Sequence, residues 1–340
     1  MLLALFLVVS TSSGYLAASP GSAGALHLED GLGPAADGPG AAGGELQPAP
    51  TADSATVPLI VEGDRIFVDL TVRGRDGSER TARFLIDTGG GPLILTEPLA
   101  RELGLEWGEP FQGEGQTFAL LRELPRVFAG GFELEVVPNR AAVLLGDGRI
   151  LPPSAPGRAE GFLPGHILAR YHVVFDYPGR TFTVARPGVL EPQGTPMPMP
   201  VSEFMGFPRT ELEIDGERYG LLLDTGASFT MISGAVMNAW GERHPEWPRY
   251  EGAHGDAAML DGMNLTRKTM YVPAARWGGF ELGEFGVAWR PEGVFENVMS
   301  QMMAAPVVGA LGGNVLKHFR LELDYANQVL YLSRPETALR

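Results

Sequence analysis

The sequence predicts an all-β protein built as two similar halves, each with short helices, and three observations lead there. Apolar and polar residues alternate from Val57 to Val72 and again from Arg209 to Ile214, the period-two pattern of half-buried strands. An Asp-Thr-Gly triplet closes an apolar run in each half: Asp87-Thr88-Gly89 after Phe84-Leu85-Ile86, and Asp224-Thr225-Gly226 after Leu221-Leu222-Leu223. Long stretches also recur at a fixed offset of 148 residues. Gly130 to Leu134 returns letter for letter as Gly278 to Leu282, and Gly161 to Pro187 returns as Gly309 to Pro335 with Leu163, Gly165, Asp176 and Tyr177 among the matched positions. Spacing preserved over such lengths is hard to produce by chance, so the chain reads as an internal duplication.

Taken in order, Leu2 to Val9 is an apolar run that passes into small residues such as Ala17-Ala18-Ser19. Residues 1–25 therefore read as a secretory signal, and the protein as exported, periplasmic or extracellular. The run is shorter than the about 20 apolar residues that a membrane span needs. Residues 26–56 are acidic and rich in Gly, Ala and Pro, a composition that reads as a disordered linker or propeptide. A first lobe over 57–190 and a second over 195–335 follow; two lobes suit about 280 globular residues better than a single core.

Within each lobe the local signals repeat. Asp76-Gly77 and Asp215-Gly216 mark hairpin turns. Nine residues beyond each triplet Asp stands an N-cap residue, Thr96 or Ser233, and seventeen beyond it a glycine, Gly104 or Gly241. Each triplet should therefore feed a strand and then a capped helix. The triplets are offset by 137 residues but the later segments by 148, which leaves eleven extra residues in the second lobe between Asp224 and Gly278. That region holds Trp240, Trp247, Tyr250 and the polar stretch 251–261.

Composition removes several function classes. The formal net charge is -15, and all but two of the 26 basic residues are Arg, so nucleic acid is not expected as a partner. With no cysteine there are no disulfides. The six histidines lack metal-ligand spacing, so neither a metal nor a cofactor is expected. No Gly-x-Ser-x-Gly or Ser-x-x-Lys pattern offers a serine nucleophile. Met197, Met199, Met205, Met299, Met302 and Met303 are read as core or interlobe packing.

The chemistry lies in the triplets. A lone Asp-Thr-Gly is a turn. Two carboxyls brought face to face cannot both ionise easily, so they share a proton and can act as base and acid on one water molecule. Asp87 and Asp224 fit those roles. Thr88 and Thr225 can bond across to the opposing loop, and Gly89 and Gly226 allow tight turns and close approach. Ser228 belongs to the second loop.

These residues, most specifically Leu222 to Ser228 with Gly161-Phe162-Leu163-Pro164-Gly165 and Ala310-Leu311-Gly312-Gly313, resemble the retropepsin-like and pepsin-like aspartic proteases. The likeness is greatest to bacterial single-chain members with two related lobes, and it covers 57–335. It implies the two-lobed, internally duplicated acid protease fold, with Asp87 and Asp224 catalytic and Thr88 and Thr225 as cross-bracing hydroxyls. It further implies a psi-shaped crossing beside each catalytic loop, followed by a helix at 167–171 and at 315–319. A flap should close over an extended peptide or protein substrate that pairs as an added strand. Gly113 and Gly115 are the first-lobe flap candidates, Gly252 and Gly255 the second. A monomer with both lobes in one chain and no cofactor is implied. The first loop departs from the family at Gly90-Gly91-Pro92, where Ala or Ser is common; the expected cost is a lost hydrogen bond to Asp87 or a looser loop. A binding protein that holds peptides uncut is the alternative from another class.

Overall fold

The structure, a computed structural model, describes residues 52–113, 115–146, 148–151, 158–251 and 268–335. The expected signal, most of the expected linker and the flap candidates Gly252 and Gly255 lie outside the described residues.

The first half of the chain supplies β1 (Ser54–Glu62), β2 (Arg65–Arg73), β3 (Glu79–Asp87), β4 (Leu93–Thr96), α1 (Glu97–Glu102), β5 (Trp107–Gly113), β6 (Gln116–Leu121), β7 (Arg126–Ala129), β8 (Phe132–Leu134), β9 (Ala141–Leu144), β10 (Gly161–Pro164), α2 (Gly165–Leu168), β11 (His172–Asp176) and β12 (Thr181–Ala185). The second half supplies β13 (Thr195–Pro198), β14 (Arg209–Ile214), β15 (Glu217–Leu223), β16 (Thr230–Ser233), α3 (Gly234–Arg243), β17 (Arg249–Tyr250), β18 (Thr269–Val272), β19 (Ala275–Trp277), β20 (Phe280–Leu282), β21 (Phe285–Arg290), β22 (Gly309–Leu311), α4 (Gly313–Leu316), β23 (Arg320–Asp324) and β24 (Val329–Ser333). A π-helical turn at Val294–Val298 and a 3₁₀ turn at Met299–Met302 precede β22.

The protein is mostly β, in two sheets. Among the described residues one has 15 strands, along the path β13-β24-β23-β11-β12-β1-β2-β3-β10-β4-β9-β6-β5 with β7 and β8 branching from β2, and the other has nine, β17-β18-β21-β16-β22-β15-β14-β19-β20. β1 begins at Ser54, inside the stretch read from composition as linker, because β12 offers it an edge: Ser54 pairs with Ala185 and Thr56 with Thr183. That partner lies about 130 residues away, beyond the reach of a local reading.

Each triplet ends a strand that is enclosed by neighbours. β10 lies between β3 and β4, parallel to β3 with Pro164 opposite Asp87, and antiparallel to β4 with Gly161 opposite Leu95. β22 lies likewise between β15 and β16, with Leu311 opposite Leu223 and Ala310 opposite Met231. Every residue of β10 and β22 is buried, which is why these strands read as continuous apolar runs. The two halves meet where β11 and β23 pair antiparallel, His172 opposite Asp324. At that seam His172 Nε2 stands 2.9 Å from Glu322 Oε1, both side chains 1 % exposed, and Glu322 also accepts from Arg320 Nη1 at 2.6 Å.

Three local expectations are adjusted. Thr96 precedes α1 as expected, but its side chain makes no capping hydrogen bond, unlike Ser233 before α3. Gly104 follows α1 with φ 62°, as a helix-ending glycine does, but α3 runs through Gly241 to Arg243. The Gly241 carbonyl there accepts Arg249 Nη2 at 2.6 Å, so the glycine sits under an arginine rather than at a helix end. The helices expected at 167–171 and 315–319 begin at Gly165 and Gly313 and are single turns, since the next N–H groups bond three residues back, Arg170 to Ile167, Tyr171 to Leu168, His318 to Val315 and Phe319 to Leu316. Met199 is in the main core, while Met205, Met299 and Met303 gather with Leu222, Ala227 and Met231 in a separate apolar cluster.

Candidate active site

The sheets bring the two triplets together. Thr88 N–H donates to Thr225 Oγ1 and Thr225 N–H to Thr88 Oγ1, both at 3.1 Å. Each hydroxyl then donates onward to the opposite strand, Thr88 to the Leu223 carbonyl at 2.5 Å and Thr225 to the Ile86 carbonyl at 3.0 Å. Both threonines are fully buried. Four hydrogen bonds therefore lock loops 137 residues apart, in a setting where unmade bonds would be costly.

The glycines of the triplets set how near the carboxyls come. A Cβ at Gly226 would lie 2.2 Å from Asp87 Cγ, and one at Gly89 3.1 Å from Asp224 Cγ. Each Asp thus rests against the glycine of the other triplet, and the two carboxyls are in hydrogen-bonding contact. Asp224 is 9 % exposed, while Asp87 is intermediate in exposure, as expected of a pair with one open side.

The two carboxyls are held differently. Asp224 Oδ1 accepts two backbone N–H groups, from Gly226 and Ala227, both at 3.0 Å. Asp87 Oδ1 accepts one, from Gly89 at 2.8 Å, because Gly90 N–H turns to the Asp87 main-chain carbonyl at 3.3 Å instead. Burial pushes Asp87 well above the usual carboxylate range, the Asp224 charge adds to the shift, and Gly89 N–H and Arg65 oppose it. Burial raises Asp224 too, but two backbone N–H groups, the hydrogen bond from Asp87 and the Arg65 charge oppose it. The pair titrates as a unit, and the extra backbone donor on Asp224 favours its carboxyl as the one that holds the negative charge.

The departure at Gly90-Gly91-Pro92 is filled from elsewhere. A Cβ at Gly90 would lie 2.1 Å from the Phe162 ring, so the ring occupies the space of the absent side chain. In the other triplet the matching positions are Ala227 and Ala310, a small pair in place of glycine and phenylalanine. The expected loosening of the first loop is also countered by His166, whose Nδ1–H donates to the Gly91 carbonyl at 3.1 Å. At the matching position Asn314 accepts Thr230 N–H at 2.7 Å and donates to the Gly286 carbonyl at 2.8 Å. Gly90→Ala should cost about 1–3 kcal/mol in the parent and close to nothing in a Phe162→Ala background, measured by denaturant unfolding of the four members of the cycle.

Ser228 is 5 % exposed, and its carbonyl accepts Asn314 N–H at 2.9 Å, which ties the second loop to α4. Gly113 closes β5, and Gly115, with φ 71°, lies in the connection to β6, so the first flap candidates sit at a hairpin tip. Sequence reasoning missed Arg65, whose side chain is fully buried and whose Nε donates to the Gly226 carbonyl at 3.1 Å. The available signal was a charged residue opening the buried run Arg65 to Val68, directly after the Gly63-Asp64 turn. His166 was missed as well, although the offset of 148 already set it opposite Asn314.

No protein-family model and no curated protein matches the chain. Among solved structures it is similar to an aspartic proteinase from Irpex lacteus, at 12% identity and a TM-score of 0.47, with 84% of this chain and 98% of that chain covered.

Proposed function

We propose that the protein is an aspartic endopeptidase that hydrolyses peptide bonds with a water molecule activated between Asp87 and Asp224. The observation that carries this reading is the reciprocal approach of the triplets, in which each glycine leaves room for the other half's carboxyl. Ionised Asp224 accepts a proton from water as the oxygen attacks the scissile carbonyl, and Asp87 donates its proton to the carbonyl oxygen. No acyl-enzyme forms. Two lobes related by duplication, 57–190 and 195–335, support the reading through the matched crossings of β10 and β22. The β5–β6 hairpin is the flap, and β5, at the end of its sheet's path, offers an edge to an extended peptide. The reading includes export and a monomeric enzyme.

The test is cleavage of a diverse peptide library from about pH 3 to 8, a range set by the titration of such pairs, with a statine-type inhibitor and with Asp224→Asn alongside. Cuts should appear in the parent, vanish with the inhibitor and fall about 10³-fold or more in the variant. Turnover that survives in Asp224→Asn would sink the assignment. No cuts, with tight inhibitor binding, would favour the peptide-binding alternative.

A further inference from the structure

Arg65 opens β2 immediately after the Gly63-Asp64 turn, and its guanidinium crosses to the other triplet, 161 residues away, to reach the Gly226 carbonyl at 3.1 Å. A charged side chain is fully buried only where something engages its charge. What stands nearby is the pair of carboxyls, both of which feel the Arg65 charge.

The placement is one-sided. Val68 pairs with Phe84, and Thr210 pairs with Leu221, each partner three residues before its triplet Asp. Counting back three from Val68 gives Arg65, and three from Thr210 gives Phe207, which is also buried. One half therefore presents a cation where the other presents a phenyl ring. Among the described residues, neither Asp64 nor Tyr177 duplicates it. Asp64 is engaged by Lys317, with both carboxylate oxygens 3.1 Å from Nζ. Tyr177, which feels the Asp224 charge, is buried and held neutral, its phenol shifted upward by that burial.

Resting on the protease reading, we propose that Arg65 is a positioning residue of the paired-aspartate site: it fixes the Asp224 loop through the Gly226 carbonyl and supplies the positive charge that the two facing carboxyls share. Two consequences separate. The donor sets where Asp224 stands. The charge adds to the backbone N–H donors that let one of two crowded carboxyls ionise in a buried place, and without it both would hold protons to higher pH.

Arg65→Gln keeps a donor and removes the charge, while Arg65→Lys keeps the charge and alters the donor. The carboxyl titrations of Asp87 and Asp224 would be followed by ¹³C NMR without substrate, beside melting curves and the pH profile of kcat/KM. In Arg65→Gln both titrations should move up by about one pH unit, and the profile with them. In Arg65→Lys the titrations should stay in place while kcat falls about tenfold and KM is retained. Titrations in a folded Arg65→Gln that overlay the parent overturn the proposal, as does loss of the fold in both variants. Because the titration needs no substrate, a parent that cuts nothing overturns the protease reading and leaves this test standing.

Discussion

Alanine at Gly226 should abolish peptide cleavage. The added methyl would stand 2.2 Å from both Cγ and Oδ2 of Asp87, far inside contact distance. Three groups could give way, and each is constrained. The Gly226 carbonyl is held by Arg65, the adjacent Thr225 by its reciprocal bonds to the first triplet, and Asp87 Oδ1 by Gly89 N–H. Asp87, with a single backbone donor on its carboxyl, is the group expected to rotate. A displacement of about 1 Å in a catalytic group costs on the order of 100-fold, so kcat should fall at least that far. Gly89→Ala should be milder, since its Cβ meets Asp224 Cγ only at 3.1 Å and otherwise the tip of Leu222. Single-turnover cleavage by both variants, beside their melting temperatures, checks the order. Parental turnover in Gly226→Ala would mean that the Asp87 carboxyl is not placed for the reaction in the way described.

The features legible in the sequence were those set by local rules. The triplets, the positive-φ turn at Asp215-Gly216, the N-cap at Ser233 and the glycine after α1 each depend on a few adjacent residues. The offset of 148 carried more, because it set Phe162 against Ala310 and His166 against Asn314. What it could not carry was the meaning of those differences. That Phe162 fills the space above Gly90, or that Arg65 reaches Gly226, depends on contacts between segments 72 and 161 residues apart whose geometry exists only after the sheets form. Composition failed for a related reason at Ser54, where strand formation is decided by an available edge and not by the strand's own residues. The departure at Gly90-Gly91-Pro92 leaves Asp87 one backbone donor short of Asp224, and the space it opens is filled by Phe162.

The same repacking should make the protein acid-labile, and His166 is where the effect is largest. Burial, reinforced by the Arg140 charge, lowers its imidazole from the ordinary 6.5 to about 3, against the opposing hydrogen bond to Gly91. A folded-state value below the unfolded one means that the unfolded chain takes up the proton first. The stability associated with neutral His166 is thus complete above about pH 6.5 and is lost progressively as pH falls toward 3. At about 1.4 kcal/mol per pH unit the full loss is about 5 kcal/mol, comparable with the entire stability of many domains. Glu322 acts in the same direction, since His172 and Arg320 hold it below the usual range despite its burial, so its contribution also fades in acid. The raised pair works the other way, because carboxyls shifted upward lose their stabilising protonated form as pH rises. Acid therefore threatens the fold while alkali removes the shared proton, and the working range should lie between, above that of an enzyme built for strong acid. His166→Asn, which copies the residue at position 314 and retains a donor toward Gly91, separates the first effect from the rest. Between pH 7 and pH 4 the parent should lose about 3 kcal/mol more unfolding free energy than the variant, with the Glu322 contribution common to both. Urea titrations at the two pH values measure the difference, and parallel losses in parent and variant would show that His166 does not set the acid limit.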